Sequence, residues 1–210
     1  MMDTIRNRAK DRFPMVLLTL LSIVQALALE FLWDHVRHRT EIFEVSGVAL
    51  LGWLQIAASL NVIILIWLMY AGMLMRFRWT PTVTDSIWPF FIGLIQFLMI
   101  DIMGPEKLAL WIIVLALIYG TTDFINHRAM RRARSDPANR EFFDRYLPAT
   151  LRDFVPQITI VTTLIMAGTW IWFSGHHGWF AICTLVGSLI GLGYETHKAA
   201  RYWNISMGTG

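Results

Sequence analysis

The sequence predicts an all-α polytopic membrane protein with six transmembrane helices, both termini cytoplasmic, and a short amphipathic helix in the loop between helices four and five. Composition, span length and charge placement carry that expectation. The chain of 210 residues is 56% hydrophobic, with a mean hydropathy of +0.51, too apolar for a domain that must present a charged surface to water. Six stretches approach the ~20 apolar residues that a helix needs to cross the hydrocarbon. They lie at about 13–36, 47–75, 86–103, 107–126, 157–174 and 178–196, and residues 1–210 read as one six-helix transmembrane domain, with 127–156 as a basic loop. Of the 18 Lys and Arg, all but Arg37, Arg39 and Lys107 fall in the N-terminal arm, at Arg76 and Arg78, in 128–152, or at Lys198 and Arg201. These places alternate onto one side, which the positive-inside rule makes the cytoplasm.

The arm MMDTIRNRAKDRF has the basic flavour of a signal-peptide start, but the apolar run behind it is too long and lacks a small-residue cleavage site. It is expected to stay as the first helix. That helix carries Gln25, Glu30 and Asp34, and residues four apart share a face, so Glu30, Asp34, His38 and then Glu41 form a column. One reading makes the column a cation or proton path, since such chains mark ion routes in membranes. The other pairs Asp34, His38 and Glu41 with Arg37 and Arg39 at the surface. Glu30 lies deepest, where an ionised carboxylate costs about 2.5 kcal/mol or more, so it is expected to face the bundle interior or find a partner.

The second and fourth helices show no breaker before their charged turns and should project beyond the membrane, the basic run HRAMRRAR continuing helix four. The third helix carries LIQFLMID, ending at Asp101, against IVQALALE, ending at Glu30, in the first. In both, a Gln precedes a carboxylate by five residues, at Gln25 and Gln96. If these helices face each other, Glu30 and Asp101 become a paired-carboxylate site near the outer leaflet that must share a proton or a cation. The alternative leaves Asp101 capping the turn.

In the loop, Asp136 before Pro137 marks a helix start and Pro148 a stop. Phe142, Phe143 and Tyr146 share a face there, and with Arg131, Arg132 and Arg134 they read as a membrane-surface element that meets anionic lipid headgroups. A membrane flank explains the basic run better than nucleic-acid binding does. In helix five, Thr159, Thr162, Thr163 and Thr169 form a stripe, read either as packing groups or as a hydrated lining. His176 and His177, beside Asp34, His35 and His38, offer nitrogen and oxygen ligands for zinc or copper, or a plain interfacial turn. Helix six carries GSLIGLG, whose small residues suit close helix approach and which follows no strand, so it is no phosphate loop. Asp123, His127, Glu195 and His197 read as wet helix-end groups.

Tryptophans 33, 53, 111, 170, 172 and 179 fall at expected outer ends, and 79, 88 and 203 at inner ends, like an interfacial belt. The single Cys183 excludes an intrachain disulfide and a cysteine metal knuckle. No GxSxG elbow, HExxH helix or paired thiol is present, and all six His lie at span ends or in loops, which counts against haem ligation and intramembrane proteolysis. The expectation is a non-enzyme, with no cofactor legible. Two functions remain. One is a small, oligomeric transport or channel-like bundle in an inner membrane, moving a proton or small cation past Glu30, Asp101, Gln25, Gln96 and Asp34. The other is a non-catalytic subunit or scaffold that binds lipids or a protein through the basic loop. The partners expected are anionic lipids, further copies or a membrane complex, and no nucleic acid.

Overall fold

The computed structural model describes residues 2–144, 148–175 and 178–207. The long helices are α1 (Met2–Arg37), α2 (Gly47–Arg76), α3 (Val83–Asp101) and α4 (Leu108–Arg134), then, after a short α5 (Arg140–Phe143), α6 (Leu151–Ser174) and α7 (Trp179–Met207). These six are long and apolar enough to cross a membrane. Their ends follow local chemistry. The Ser46 hydroxyl accepts from the Ala49 N–H at 3.1 Å and starts α2. Capping boxes at Thr82/Asp85 and Thr150/Asp153 start α3 and α6 earlier than apolar content alone indicates. Gly175, at φ 65°, ends α6 in the left-handed conformation that glycine adopts without a side-chain penalty.

Helix four does run through the basic segment to Arg134. Two extensions were not legible from hydropathy. The 36-residue α1, about 54 Å long, begins in the polar arm and passes through Pro14. Likewise α7 continues to Met207, its polar last turns lying beside α2, where a Cβ on Gly72 would stand 3.7 Å from Trp203.

Helices α1 to α4 pack in the order α2, α1, α3, α4, with α6 laid on α4 and α7 on α2, while α6 and α7 touch each other little. In their most apolar stretches α2 and α4 are each 56% buried, against 22% for α6 and 17% for α7, so α6 and α7 are flanking helices. Two glycines permit the closest approaches. A Cβ on Gly93 would lie 2.5 Å from Val24 Cγ1, between α3 and α1, and one on Gly168 would lie 2.9 Å from the Ala109 carbonyl, between α6 and α4.

Both polar arms lie at one end of the bundle, the basic end, with the turns after α1, α3 and α6 at the far end. Two tryptophans depart from the expected belt: Trp111 is fully buried in the core and Trp79 nearly so. In α7, a Cβ on Gly187 or Gly191 would meet nothing within 4 Å, so the close approach suited to GSLIGLG does not occur within the chain.

Candidate functional site

At the basic end the linker folds onto the helices instead of lying away from them. The Asp85 carboxylate, 5% exposed, caps α3 and takes a two-pronged contact from the Arg132 guanidinium on α4, one arm of which also donates to Thr82 Oγ1 at 2.8 Å. Buried Asn139 accepts from the Arg78 N–H at 3.0 Å and donates to the Arg78 and Ala133 carbonyls at 2.6 and 2.7 Å. Lys10 of α1 reaches Asp136 at 2.5 Å, and Arg78 reaches Asp11 at 2.6 Å. Burial works to raise the Asp136 carboxyl, but hydrogen bonds from Lys10 and the Ala138 N–H, with the charges of Lys10 and Arg78, hold it below its ordinary value.

This placement changes the part played by several residues expected at the lipid surface. Phe143 is buried, stacked on Phe77 with the Arg134 guanidinium 4.8 Å from its ring centre, and Phe142 packs edge-on against Phe77. The described helix there is only the four residues of α5, and Tyr146 lies outside the described residues. Arg132 is paired with Asp85, while Arg131 is exposed. Exposed Arg8, Arg12, Arg128, Arg131, Arg140, Arg152 and Arg201 have no ion pair among the described residues. The sequence carried one signal for this cluster, the T-x-x-D box at Thr82 to Asp85.

In the bundle, the matched pattern of helices one and three brings together its amides and not its acids. Gln25 and Gln96, 4% and 0% exposed, donate to each other's carbonyl oxygens at 3.1 and 3.0 Å. Five residues further along each helix, Glu30 and Asp101 are exposed. Glu30 therefore does not face the interior. Gln and acid five apart point about 140° apart on an ideal helix, so turning the amides inward turns the acids out.

At the far end, Asp34 pairs with Arg37 at 2.6 Å, and Glu41 with Arg39 at 3.5 Å. His38 Nδ1 lies 2.8 Å from the Asp34 carbonyl and 3.6 Å from its carboxylate. His176 and His177 lie outside the described residues, and among the described ones no three His, Cys, Asp or Glu are grouped to hold a metal. The threonines of α6 are all exposed, and Thr159 donates to the Val155 carbonyl of its own helix at 2.8 Å.

One polar site remains, which the sequence placed at wet helix ends. Between the α4–α6 and α2–α7 pairs lies a cavity of about 50 Å³ lined by Tyr119, Thr122, Asp123, Gln157 and Glu195 among apolar side chains. Counted at 1.5 Å per residue, Asn61, Asp123, Glu195 and Gln157 each sit about 21 to 26 Å from the far end of their own helix, a common level in the bundle. At that level Thr196 donates to Asn61 at 2.7 Å, clamping α7 to α2. The Thr122 hydroxyl is buried with no partner. No known protein family, characterised protein or solved structure matches the chain. The site is read on its own geometry.

Proposed function

We propose that the protein is a non-catalytic subunit or scaffold of an inner membrane, with the basic end in the cytoplasm, where it binds anionic lipid headgroups and presents a folded cap to a partner. The observation that carries this reading is the division of charge at that end. Arg132, Lys10 and Arg78 are consumed in holding the cap together, while the seven exposed arginines around it are left for phosphate groups of the leaflet. The closed Gln25–Gln96 pair and outward Glu30 and Asp101 favour this reading over a route along α1 and α3.

The test is lipid retention by the intact purified protein. Native mass spectrometry should find phosphatidylglycerol retained over phosphatidylcholine, and replacing Arg128 and Arg131 with Gln should lower that preference, each contact contributing about 1 kcal/mol. Equal retention of both lipids, or no effect of the substitutions, sinks the lipid reading.

A second reading, conduction of a proton or small cation, is favoured by the carboxylate-lined cavity between α4 and α7. Flux of protons, sodium or potassium into reconstituted liposomes, lost in Asp123→Asn, is its signature. Tight liposomes under every gradient rule it out.

A further inference from the structure

Where the arm of α1, the turn before α3 and the end of α4 converge at the basic end, they enclose a pocket of about 510 Å³. Asn7 and Lys10 line it from α1, Thr82 from the turn, and Arg132, Ser135 and Asp136 from α4 and the start of the linker. Its charges are answered within the cap. Lys10 reaches Asp136 at 2.5 Å, and Arg132 holds the buried carboxylate of Asp85. Two cations and two carboxylates sum to zero, which disfavours a free anion or a free cation and suits a ligand that is itself neutral in sum.

The charges are balanced, but hydrogen-bonding capacity remains. A lysine ammonium has three N–H donors, and Asp136 takes one of those on Lys10. A carboxylate offers about four lone-pair sites, and that of Asp136 meets Lys10 on one oxygen and the Ala138 N–H on the other. Ser135 donates to the Arg132 carbonyl at 2.7 Å, which leaves its oxygen as an acceptor. Cationic donors and anionic acceptors thus stand side by side. Depth narrows the ligand further. Helix α3, with 19 residues and about 28 Å of length, just matches the hydrocarbon thickness. Thr82, Arg132 and Lys10, counted along their own helices, stand about 28 to 40 Å from the far end, the level of lipid headgroups.

We propose that the pocket holds a phosphoethanolamine group, its phosphate on Lys10 and Arg132 and its ammonium on Asp136 and Ser135, carried by a lipid of the adjoining leaflet. A choline group keeps the charge of the amine but has no N–H to donate, and a glycerol or serine group leaves one negative charge in excess. The proposal goes beyond the anionic-lipid reading. It shares with that reading the placement of the basic end at the leaflet and uses none of the exposed arginines.

The experiment is native mass spectrometry of the full chain purified in detergent, with phosphatidylethanolamine, its mono- and dimethyl derivatives and phosphatidylcholine supplied in equal amounts. Retention should fall stepwise as methyl groups replace N–H donors, roughly tenfold from first to last, and this series needs no variant to fold. Lys10→Met and Asp136→Asn should each flatten it, whereas Glu30→Gln, exposed and toward the other end of α1, should leave it unchanged. Free O-phosphoethanolamine in excess separates the two sources of the group: displacement of the lipid makes the free compound a ligand as well, and no displacement assigns the site to the lipid. Equal retention along the series overturns the site, as does a series unchanged in both variants. Loss of the methylation series with phosphatidylglycerol still retained over phosphatidylcholine ends this proposal alone, and loss of that anionic preference with the series intact ends only the reading built on Arg128 and Arg131.

Discussion

Between α1 and α3 the amides of Gln25 and Gln96 exchange two hydrogen bonds and close the space between them, whereas between α4 and α7 the polar side chains line a cavity and leave the Thr122 hydroxyl without a partner. Both sites draw polar groups from separate helices into apolar surroundings. A neutral amide pair satisfies a donor and an acceptor on each side and needs nothing further, which is the usual way such groups join membrane helices. Ionised carboxylates carry acceptors only, so two of them complete each other only by sharing a proton or a cation. The first arrangement is a fastening, and the second leaves its acids half-exposed, with Glu195 beside Lys198.

The comparison sharpens if satisfied polar contacts prove to hold the fold. The largest effect is expected at Asp85, whose partner Arg132 would be left without its carboxylate: Asp85→Asn should lower unfolding stability by about 3 kcal/mol. Denaturation in detergent followed by fluorescence measures it, and a loss under about 1 kcal/mol would move this contact into the class of weak surface pairs. Next comes Gln25→Leu, which strands the fully buried Gln96 amide and should cost about 2 kcal/mol. The double change Gln25→Leu with Gln96→Leu should recover most of that loss, since no polar atom is then left unmatched; a double variant as unstable as the sum of two singles breaks the fastening argument.

The smallest effect is titration of Asp136. Its carboxyl sits below its ordinary value in the folded chain, so it contributes stability that is fully present above the unfolded value and lost as pH falls through the folded one. The unfolding midpoint should decline as pH falls through and below the ordinary carboxylate range, and Lys10→Met should flatten part of that decline. A decline identical in the variant would assign the acid sensitivity to other carboxylates.

The spans and the projection of α4 were readable in the sequence because hydropathy reports directly on them, while the repeated Gln-to-acid spacing drew attention to α1 and α3 but put the acids together where the structure joins the amides. The site chemistry was less readable. Glu30 stands out in a linear sequence as the costliest residue, yet which way it faces depends on which side of α1 meets α3, and the Gln pair decides that. Asp123 and Glu195 look like helix-end residues because Arg128 and Lys198 follow so closely. For Glu195, only the continuation of α7 to Met207 shows that the helix runs on past it, whereas the basic run already carried α4 past Asp123. Phe143 has the spacing of a lipid-facing aromatic, and its burial comes from Phe77, 66 positions earlier, which no local pattern can indicate.

The ion pair of Lys10 with Asp136 spans 126 positions of chain, and this separation has a consequence for biosynthesis. A ribosome adding about 5–20 residues per second needs roughly 6 to 25 seconds to reach Asp136 after it has added Lys10. Throughout that interval Lys10 has no carboxylate partner at the linker. The contact can form only after α4 and the linker behind it have been made.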